Sequence, residues 1–360
     1  MQSEKSTNKI NEQKLHDFML KSVGDIASTM SAMLVIIGDR LGLYKAMAES
    51  KLPLTSEELA NKTNTNERYI REWLANQAAG GYIIYNKSDG KYFLPPEQAM
   101  VLAEENSSVY MHGAYQSIRS FFKDEDKFIE IFKTGKGLRW GEHHHDLFEG
   151  TARFFKPNYI GNLVSSWIPS LEGVEEKLKQ GAKVADIGCG YGISTTLMAK
   201  AYPNSKFYGF DNHGPSIEQA KEQARKEGIT GNVEFSSVSA NDESIGNDYD
   251  LITFFDCLHD MGDPIAAMKF AKRSLKPDGT CMIIEPMAND KVEENLNLVG
   301  RIYYAASTLV CVPNSLADNG PALGAQAGEK KIKEISEASG FTKFRRATQT
   351  PFNIIYEAKP

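Results

Sequence analysis

The chain has 360 residues, with 41 Lys or Arg against 47 Asp or Glu, so its formal net charge is −6. Hydrophobic residues make up 41% and charged residues 24%, which is ordinary for a globular protein. These values exclude a disordered chain, a collagen-like repeat and a nucleic-acid coat protein, and the length favours two domains.

The first part of the chain predicts a small helical module. Apolar residues recur at helical spacing over 15–48, which predicts one long helix with a broad apolar face. Thr55 and Glu58 form a capping-box pattern, and a second helix is predicted over 67–79. Two short β segments then flank a turn at 88–90. Helix, turn, helix and hairpin together predict a winged helix-turn-helix.

The charge of this module argues against DNA as its partner. Segment 51–80 carries four basic and four acidic residues, whereas DNA affinity rests largely on basic contacts to phosphate. The second helix also carries Ile70, Trp73 and Leu74 on one side, which predicts core or interface positions. We therefore expect a dimerisation and substrate-lid module, and binding to DNA would contradict this expectation.

From Lys183 onwards, short apolar strands alternate with helices, which predicts an α/β fold with a doubly wound parallel sheet. A segment after the fifth strand of this region is too long for a simple connection and is expected to lie over the active site. We predict a helical winged-helix dimerisation domain over 1–110 and a helical connector and pocket lid over 111–182. An α/β domain follows over 183–360, with an insertion at 287–328.

The most informative stretch is 186–192, which reads Asp-Ile-Gly-Cys-Gly-Tyr-Gly and joins the first α/β strand to a helix. Ligands of open α/β sheets bind at this edge, and glycines let ligand atoms approach the backbone. A dinucleotide motif starting at Gly188 would need a third glycine at position 193, which is Ile193. Asp211 ends the second strand, where a carboxylate can accept hydrogen bonds from both hydroxyls of a ribose.

Residues 186–192 and Asp211 resemble the first two motifs of class I S-adenosylmethionine-dependent methyltransferases, and 250–260 and 275–280 resemble later ones. The winged-helix module, segment 154–159 and segment 255–264 resemble a bacterial group of two-domain, winged-helix small-molecule methyltransferases. The resemblance implies a seven-stranded Rossmann-like sheet. It also implies cofactor contacts from Asp186, Gly188, Gly190, Gly192, Asp211, Asn212, Ser239, Phe255 and Asp256. The family often has Asp where Ser239 stands, so Asn241 or Asp242 could substitute for it.

Polar residues after the fourth strand are the candidates for the reacting centre. His259 and Asp256 are the predicted catalytic residues, with His259 either a general base or a residue that holds its loop. A histidine run at 143–145 could bind a metal if extended, but we favour a polar pocket rim without a metal. The predicted substrate pocket comprises His143, His145, Tyr159, Arg301, Tyr303 and Tyr304, with Phe148, Phe154 and Phe155 in an apolar wall.

These observations predict an enzyme that transfers a methyl group from S-adenosylmethionine to a small-molecule acceptor through O, N or S, leaving S-adenosylhomocysteine. The alternatives are a ligand-sensing winged-helix regulator that retains the fold and, less favoured, a nicotinamide oxidoreductase. A homodimer formed through the N-terminal domain is expected. The longest apolar run, 33–37, is far shorter than the roughly 20 residues that cross a bilayer. No signal-peptide pattern is visible, and the four cysteines lack CxxC spacing, so we expect a cytoplasmic protein with reduced thiols and no membrane partner.

Overall fold

The structure, a computed structural model, describes residues 10–360. Contacts divide the chain into two compact units, Met1–Tyr115 and Gln116–Pro360. Residues 116–182, most of the predicted connector over 111–182, lie in the same unit as the sheet. Leu163 and Trp167 explain this grouping, because both are fully buried in an apolar cluster that includes sheet residues.

The first unit is mainly helical. Its elements are α1 (Glu12–Arg40), α2 (Leu43–Ser50), α3 (Ser56–Thr63), α4 (Glu67–Ala79), β1 (Ile84–Asn86), β2 (Lys91–Phe93) and α5 (Pro96–Leu102). The sequence predicts one helix over 15–48, but the helix ends at Arg40 and a second one starts at Leu43. Gly42 separates them with φ 68°, a left-handed conformation that interrupts a right-handed helix.

The winged-helix prediction is confirmed in its local detail. Thr55 and Glu58 form the expected capping box at the start of α3. Trp73 and Leu74 of α4 belong to the buried core of this unit. Arg68 and Arg71 each bind a glutamate on the same helix, at 2.5 and 2.8 Å. Both arginines thus have an acidic partner on their own helix, and the expectation that this helix does not bind DNA stays a prediction.

Helix α1 is the most exposed apolar element of this unit. By length and composition alone it is apolar enough to cross a membrane, and it is the one helix among residues 10–360 that meets this test. Its exposed apolar side chains recur along the helix, at Leu15, Phe18, Met19, Leu20, Val23, Ile26, Met30, Met33 and Ile37. Such a continuous apolar surface calls for a partner.

The second unit contains the large sheet and its flanking helices. Its helices are α6 (His112–Lys123, which begins in the first unit), α7 (Glu125–Thr134), α8 (Asp146–Asn162), α9 (Val174–Gln180), α10 (Ile193–Ala201), α11 (Gly214–Lys226), α12 (Pro264–Ser274), α13 (Leu298–Ala306), α14 (Val312–Ala317) and α15 (Gly328–Ala338). Its strands are β3 (Lys183–Ile187), β4 (Lys206–Asp211), β5 (Val233–Ser237), β6 (Tyr249–Phe255), β7 (Leu275–Pro286), β8 (Lys343–Gln349) and β9 (Asn353–Lys359).

The seven strands lie in the order β5-β4-β3-β6-β7-β9-β8, which confirms the predicted seven-stranded sheet. The first five pair in parallel, and β9 inserts antiparallel between β7 and β8. Residues 281–284 in the centre of β7 are all fully buried. Burial on both faces of a strand is expected for a sheet that helices cover on each side. The carboxyl ends of β3, β4, β6 and β7 therefore meet at one edge, and the amino end of β9 joins them there.

Candidate active site

The glycine-rich turn at the end of β3 has the conformation that its sequence predicts. Gly188, Gly190 and Gly192 have φ values of 74°, 53° and 69°, which glycine adopts most readily. A side chain at Gly192 would lie 2.5 Å from the ring of Phe235. At Gly190 a side chain would meet no atom within 4 Å. Gly192 is thus required by packing, whereas Gly190 borders open space at the ligand-binding edge of the sheet.

Asp186 precedes this turn and is completely buried. Its carboxylate accepts hydrogen bonds from Ser194 at 2.7 Å, Thr195 at 2.6 Å and Thr253 at 2.9 Å. Burial raises the pKa of Asp186 to about 6, against the lowering effect of the three hydroxyl groups. The carboxylate therefore fastens the start of α10 and strand β6 to the glycine turn, and its predicted contact with the cofactor stays a prediction.

Asp211 ties the second strand to the same turn. Its Oδ2 accepts a hydrogen bond from the backbone N–H of Gly190 at 2.9 Å, and Oδ1 accepts one from that of His213 at 2.8 Å. Burial raises the pKa of this carboxyl group. Each carboxylate oxygen can accept a further hydrogen bond. A half-buried acceptor beside Gly190 suits the two hydroxyls of a ribose, as the sequence predicts.

The residues after Asp211 differ in their placement. The side chain of Asn212 is exposed. The ring of His213 lies 4.7 Å from that of Phe148, and its Nδ1 is 2.8 Å from the hydroxyl of Ser216. His213 belongs to no motif recognised in the sequence, although its position two residues after an acidic strand end was a usable signal. Phe148 belongs to the predicted apolar wall, and this contact places it beside the second strand.

Ser239 follows β5 and is exposed. Its carbonyl oxygen accepts a hydrogen bond from the backbone N–H of Asp242 at 3.0 Å, within a turn. The side chain of Asp242 in turn caps a short helical turn by accepting from the backbone of Ser244. An adenine contact from Ser239, or from Asp242 in its place, stays a prediction.

Asp256 follows β6 in a left-handed conformation with φ 52°, which is uncommon for a residue with a side chain. Its carboxylate accepts hydrogen bonds from the amide of Asn353 at 2.7 Å and from the hydroxyl of Tyr159 at 3.3 Å. Burial, followed by the nearby charge of Glu285, raises the pKa of Asp256 to about 8. The buried ring of Phe255 lies 5.2 Å from that of Tyr159.

His259, one of the predicted catalytic residues, lies between two other buried polar side chains. Its Nδ1 is 2.6 Å from Oε2 of Glu285, at the end of β7, and its Nε2 is 3.3 Å from Sγ of Cys311. All three residues are buried. Burial lowers the pKa of His259, but the charge of Glu285 and the sulfur of Cys311 outweigh it, so the pKa is raised well above its usual value. The ring is thus held by a carboxylate on one side and faces a thiol on the other.

Oε1 of Glu285 is buried and has no hydrogen-bond partner in the part of the chain that the structure describes. A buried carboxylate oxygen left in this state carries a free-energy penalty. A water or a ligand hydroxyl would remove that penalty. This oxygen could therefore accept a hydrogen bond from such a group.

The remaining predicted pocket residues are spread more widely. Tyr303 is buried and donates a hydrogen bond to the carbonyl oxygen of Phe352 at 2.7 Å, so its hydroxyl is engaged in the fold. Tyr304 is half-buried and Arg301 is exposed on the same helix. All three residues remain predicted substrate contacts, and the hydrogen bond of Tyr303 also stabilises the fold.

The predicted histidines lie in a segment of their own. His143 is buried, with its ring 6.0 Å from that of Phe128 and its Nδ1 3.4 Å from a carboxylate oxygen of Asp124. His145 is 74% exposed at the side chain. Neither has a described contact to His259 or to the glycine turn, so their assignment to the pocket gains no support from these contacts.

His144, His145 and Asp146 lie close enough together to hold a metal ion. However, the carboxylate of Asp146 already binds Arg119, and it lies 3.3 Å from Nζ of Lys123. Two cations at the same carboxylate oppose the binding of a third. The donor set is therefore better explained as an ion-pair network that anchors the start of α8.

Three residues of the centre were missed as functional residues by the sequence analysis. Glu285 was seen only as the end of a strand, and its polar character at a strand end was the available signal. Cys311 and Asn353 reach the centre from the insertion and from β9, far along the chain from His259 and Asp256. No local pattern could have joined them, because their proximity arises from the sheet order.

Comparisons with known proteins agree with this architecture. Residues 178–340 match a family described as a methyltransferase domain, and residues 29–104 match an Rv2258c-like winged HTH domain. The chain is 24% identical to a myricetin 3-O-methyltransferase of Solanum habrochaites, over 93% of each chain.

Solved structures show the same fold over almost the whole chain. Human N-acetylserotonin methyltransferase, in complex with S-adenosylmethionine, aligns with a TM-score of 0.70 at 15% identity, covering 98% of this chain and 99% of its own. An O-methyltransferase family protein from Burkholderia thailandensis aligns with a TM-score of 0.70 at 14% identity, covering 95% and 97%.

The site fits S-adenosylmethionine on its own geometry. Gly190 leaves open space at the backbone, and the Asp211 carboxylate beside it retains capacity to accept hydrogen bonds. A cofactor without a phosphate needs no third glycine at position 193. With the matched domain and the confirmed sheet, this chain is a class I S-adenosylmethionine-dependent methyltransferase that carries an N-terminal winged-helix domain.

Proposed function

We propose that the protein methylates a hydroxyl oxygen of a small molecule and that His259 is the general base. The observation that carries this proposal is the buried pair of His259 Nδ1 and Glu285 Oε2, 2.6 Å apart, at the carboxyl edge of the sheet. A base is needed when the acceptor carries a proton with a high pKa, as a hydroxyl does. The names of the relatives, several of which are O-methyltransferases, support the same acceptor atom.

The chemistry follows from the orientation of the ring. Glu285 accepts a hydrogen bond from Nδ1–H of His259, so the lone pair of the neutral ring lies on Nε2. That nitrogen can take the proton of an acceptor hydroxyl once the hydroxyl lies within hydrogen-bond distance. Glu285 acts through His259 and is a positioning residue, which also stabilises the imidazolium that forms.

When bound, S-adenosylmethionine supplies a methyl group activated by a positively charged sulfur. We propose that the glycine turn and Asp211 hold its nucleoside and amino-acid parts, with Phe255 and Asp256 at the adjoining strand end. Burying these groups in an apolar surround, to which Phe148 and Tyr159 contribute, excludes water and keeps the acceptor in line with the methyl group.

Substitution of His259 tests this function. His259→Gln keeps a polar side chain of similar size but cannot take a proton at neutral pH, and we expect transfer to hydroxyl acceptors to fall roughly 10²–10⁴-fold. Cofactor binding, measured by the thermal shift with S-adenosylhomocysteine, should be retained. An undiminished rate with a folded, cofactor-binding variant would refute the role of His259.

We also propose that the protein is a homodimer formed through α1. Its exposed apolar stripe suits the same stripe of a second copy. Ile26→Asp, placed in this stripe where the side chain is 60% exposed, should give a monomer by light scattering. Asp17→Ala on the same helix serves as the control. A dimer that survives several charged substitutions along the stripe would contradict the proposal.

A cytoplasmic location is proposed as well, supported by the presence of four free cysteines. The alternative function, a ligand-sensing regulator, draws no support from the comparisons. It predicts specific DNA binding that responds to S-adenosylmethionine. An electrophoretic mobility assay at low salt would reveal such binding.

A further inference from the structure

Cys311 ends a buried chain of three polar side chains. Its sulfur lies 3.3 Å from His259 Nε2, while the opposite ring nitrogen contacts Glu285. Cys311 retains 8% of its accessible surface. A nucleophile whose neighbouring base is oriented by a third group is the general arrangement of covalent catalysts.

Several contacts hold the sulfur in place. Asn314 donates a hydrogen bond to the carbonyl oxygen of Asp260 at 3.1 Å, and Ser315 donates one to that of Met261 at 2.9 Å. Asp260 ends the short helical turn Leu258–Asp260 that carries His259, and Met261 follows it. Cys311 itself ends a π-helical turn, Ser307–Cys311, a feature that is frequent at functional sites. The contact between sulfur and ring is therefore built by both segments.

The other three cysteines have different surroundings. Cys257 is more exposed than Cys311, but its sulfur lies 3.2 Å from the carbonyl oxygen of Ile187, which does not activate a thiol. Cys281 is fully buried in β7. Burial raises the pKa of the thiols of Cys189, Cys257 and Cys281. Exposure alone predicts that Cys257 reacts faster than Cys311, whereas the neighbouring His259 predicts that Cys311 reacts faster.

We propose that Cys311 is a nucleophilic thiol, activated by His259 and Glu285, that small electrophiles modify, and that its modification stops methyl transfer. With iodoacetamide, a bond forms between sulfur and the methylene carbon while the carbon–iodine bond breaks. Iodide leaves, the thiol proton is released to water, and His259 stabilises the thiolate that attacks. The added group occupies the position at Nε2 that the acceptor hydroxyl needs.

Labelling depends on these three side chains alone, whereas the loss of transfer also rests on the proposed function. The first test is therefore chemical. The full-length protein is treated with limiting iodoacetamide at about pH 6.5, and the four cysteine peptides are quantified by mass spectrometry. We expect Cys311 to react about tenfold faster than Cys257, despite its lower exposure. A rate at Cys311 equal to or below that at Cys257 would overturn the activation.

Substitutions of His259 and Glu285 test whether these two residues activate the Cys311 thiol. Glu285→Gln and His259→Asn, each verified as folded by its thermal transition, should slow labelling of Cys311 about fivefold or more while leaving Cys257 unchanged. Glu329→Gln is the matched control, because Glu329 pairs with Arg346 away from this chain of contacts. Unchanged labelling of Cys311 in both folded variants would also overturn the activation.

The proposal that modification of Cys311 stops methyl transfer is tested by measuring activity. Methyl transfer by the wild-type protein should fall in proportion to the fraction labelled at Cys311. Cys311→Ala, treated in parallel, should keep the activity that it had before treatment. Full transfer by a protein labelled completely at Cys311 would show that the modified site still admits the acceptor and would overturn the inhibition, leaving the labelling result to stand by itself.

Discussion

The carboxylate of Asp211 accepts a hydrogen bond from the backbone N–H of Gly190, and this 2.9 Å contact joins the ends of two neighbouring parallel strands. The same carboxylate binds the backbone of His213 at 2.8 Å. One side chain thus orders the glycine turn and the following loop before any ligand arrives. Preordering of this kind lowers the entropy cost of binding.

Asp211→Ala should therefore abolish the thermal shift that S-adenosylmethionine or S-adenosylhomocysteine produces. It removes the proposed ribose acceptor and releases the N–H of Gly190. Asp278→Ala is the control, since its carboxylate is an exposed acid that pairs with Lys177. If the cofactor-induced shift is the same in the Asp211 variant as in the wild type, the assignment of Asp211 is wrong.

Two glycines of the turn should respond differently to alanine. Gly192→Ala adds a methyl group 2.5 Å from the ring of Phe235 at a φ of 69°, so we expect it to lower the free energy of unfolding, by about 2–4 kcal/mol. Gly190→Ala meets no protein atom and adds backbone strain alone, about 1 kcal/mol.

For cofactor affinity we expect the opposite order, with the larger effect from Gly190→Ala. The new methyl group of Gly190→Ala would occupy the open space proposed for S-adenosylmethionine, so its affinity should fall at least tenfold by calorimetry while the protein stays folded. Chemical denaturation checks the stability of both variants. Undiminished cofactor affinity in Gly190→Ala would place the ligand elsewhere.

The pH dependence of transfer follows from the pair of His259 and Glu285. The charge of Glu285 and the sulfur of Cys311 raise the pKa of His259 despite its burial, so the ring becomes available as a base only at higher pH than a free histidine would. We expect kcat/KM to rise with pH along a limb centred above about pH 6.5, the usual pKa of histidine.

Glu285→Gln removes the charge that opposes deprotonation. The limb should therefore move to lower pH, while kcat falls because the ring is held less firmly. Measuring pH profiles of both proteins with the same acceptor checks the sign. A limb that stays in place would mean that it reports another group.

Asp256 makes a separate prediction about stability. Its pKa is raised to about 8 in the folded protein, compared with about 4 for a free aspartate. The unfolded chain therefore releases this proton at lower pH, and the free energy of unfolding declines as pH rises from about 4 to about 8. Asp256→Asn removes this decline and suits the left-handed conformation, which asparagine tolerates.

The melting temperature of Asp256→Asn, relative to wild type, should thus become more positive by a few °C between about pH 5 and pH 9. The comparison between the two proteins cancels the contributions of other titrating groups. A difference that does not change with pH would show that Asp256 is ionised in the folded state throughout.

The sequence predicts the sheet well because each strand and turn carries its own local signal. The glycines at 188, 190 and 192 allow a turn whose conformations other residues avoid. The short apolar runs predict buried strands. Helix α1 was predicted too long because apolar spacing continues through Gly42, and spacing alone does not register a left-handed residue.

The candidate centre was predicted only in part. His259 and Asp256 follow a strand end, where local rules place ligand contacts. Their partners Cys311 and Asn353 come from distant segments, which become neighbours because of the strand order. The predicted pocket histidines lie beside acidic residues, His143 near Asp124 and His145 near Asp146, and their place in the substrate pocket stays a prediction.

The antiparallel strand β9 has a consequence for the candidate centre. Its first residue, Asn353, donates to Asp256 and accepts from Asn158, so three distant parts of the chain meet at one amide. Strand β9 lies between β7 and β8 and pairs with both. A change that loosened this strand would therefore release a partner of Asp256 while the glycine turn, which belongs to β3, kept its own contacts.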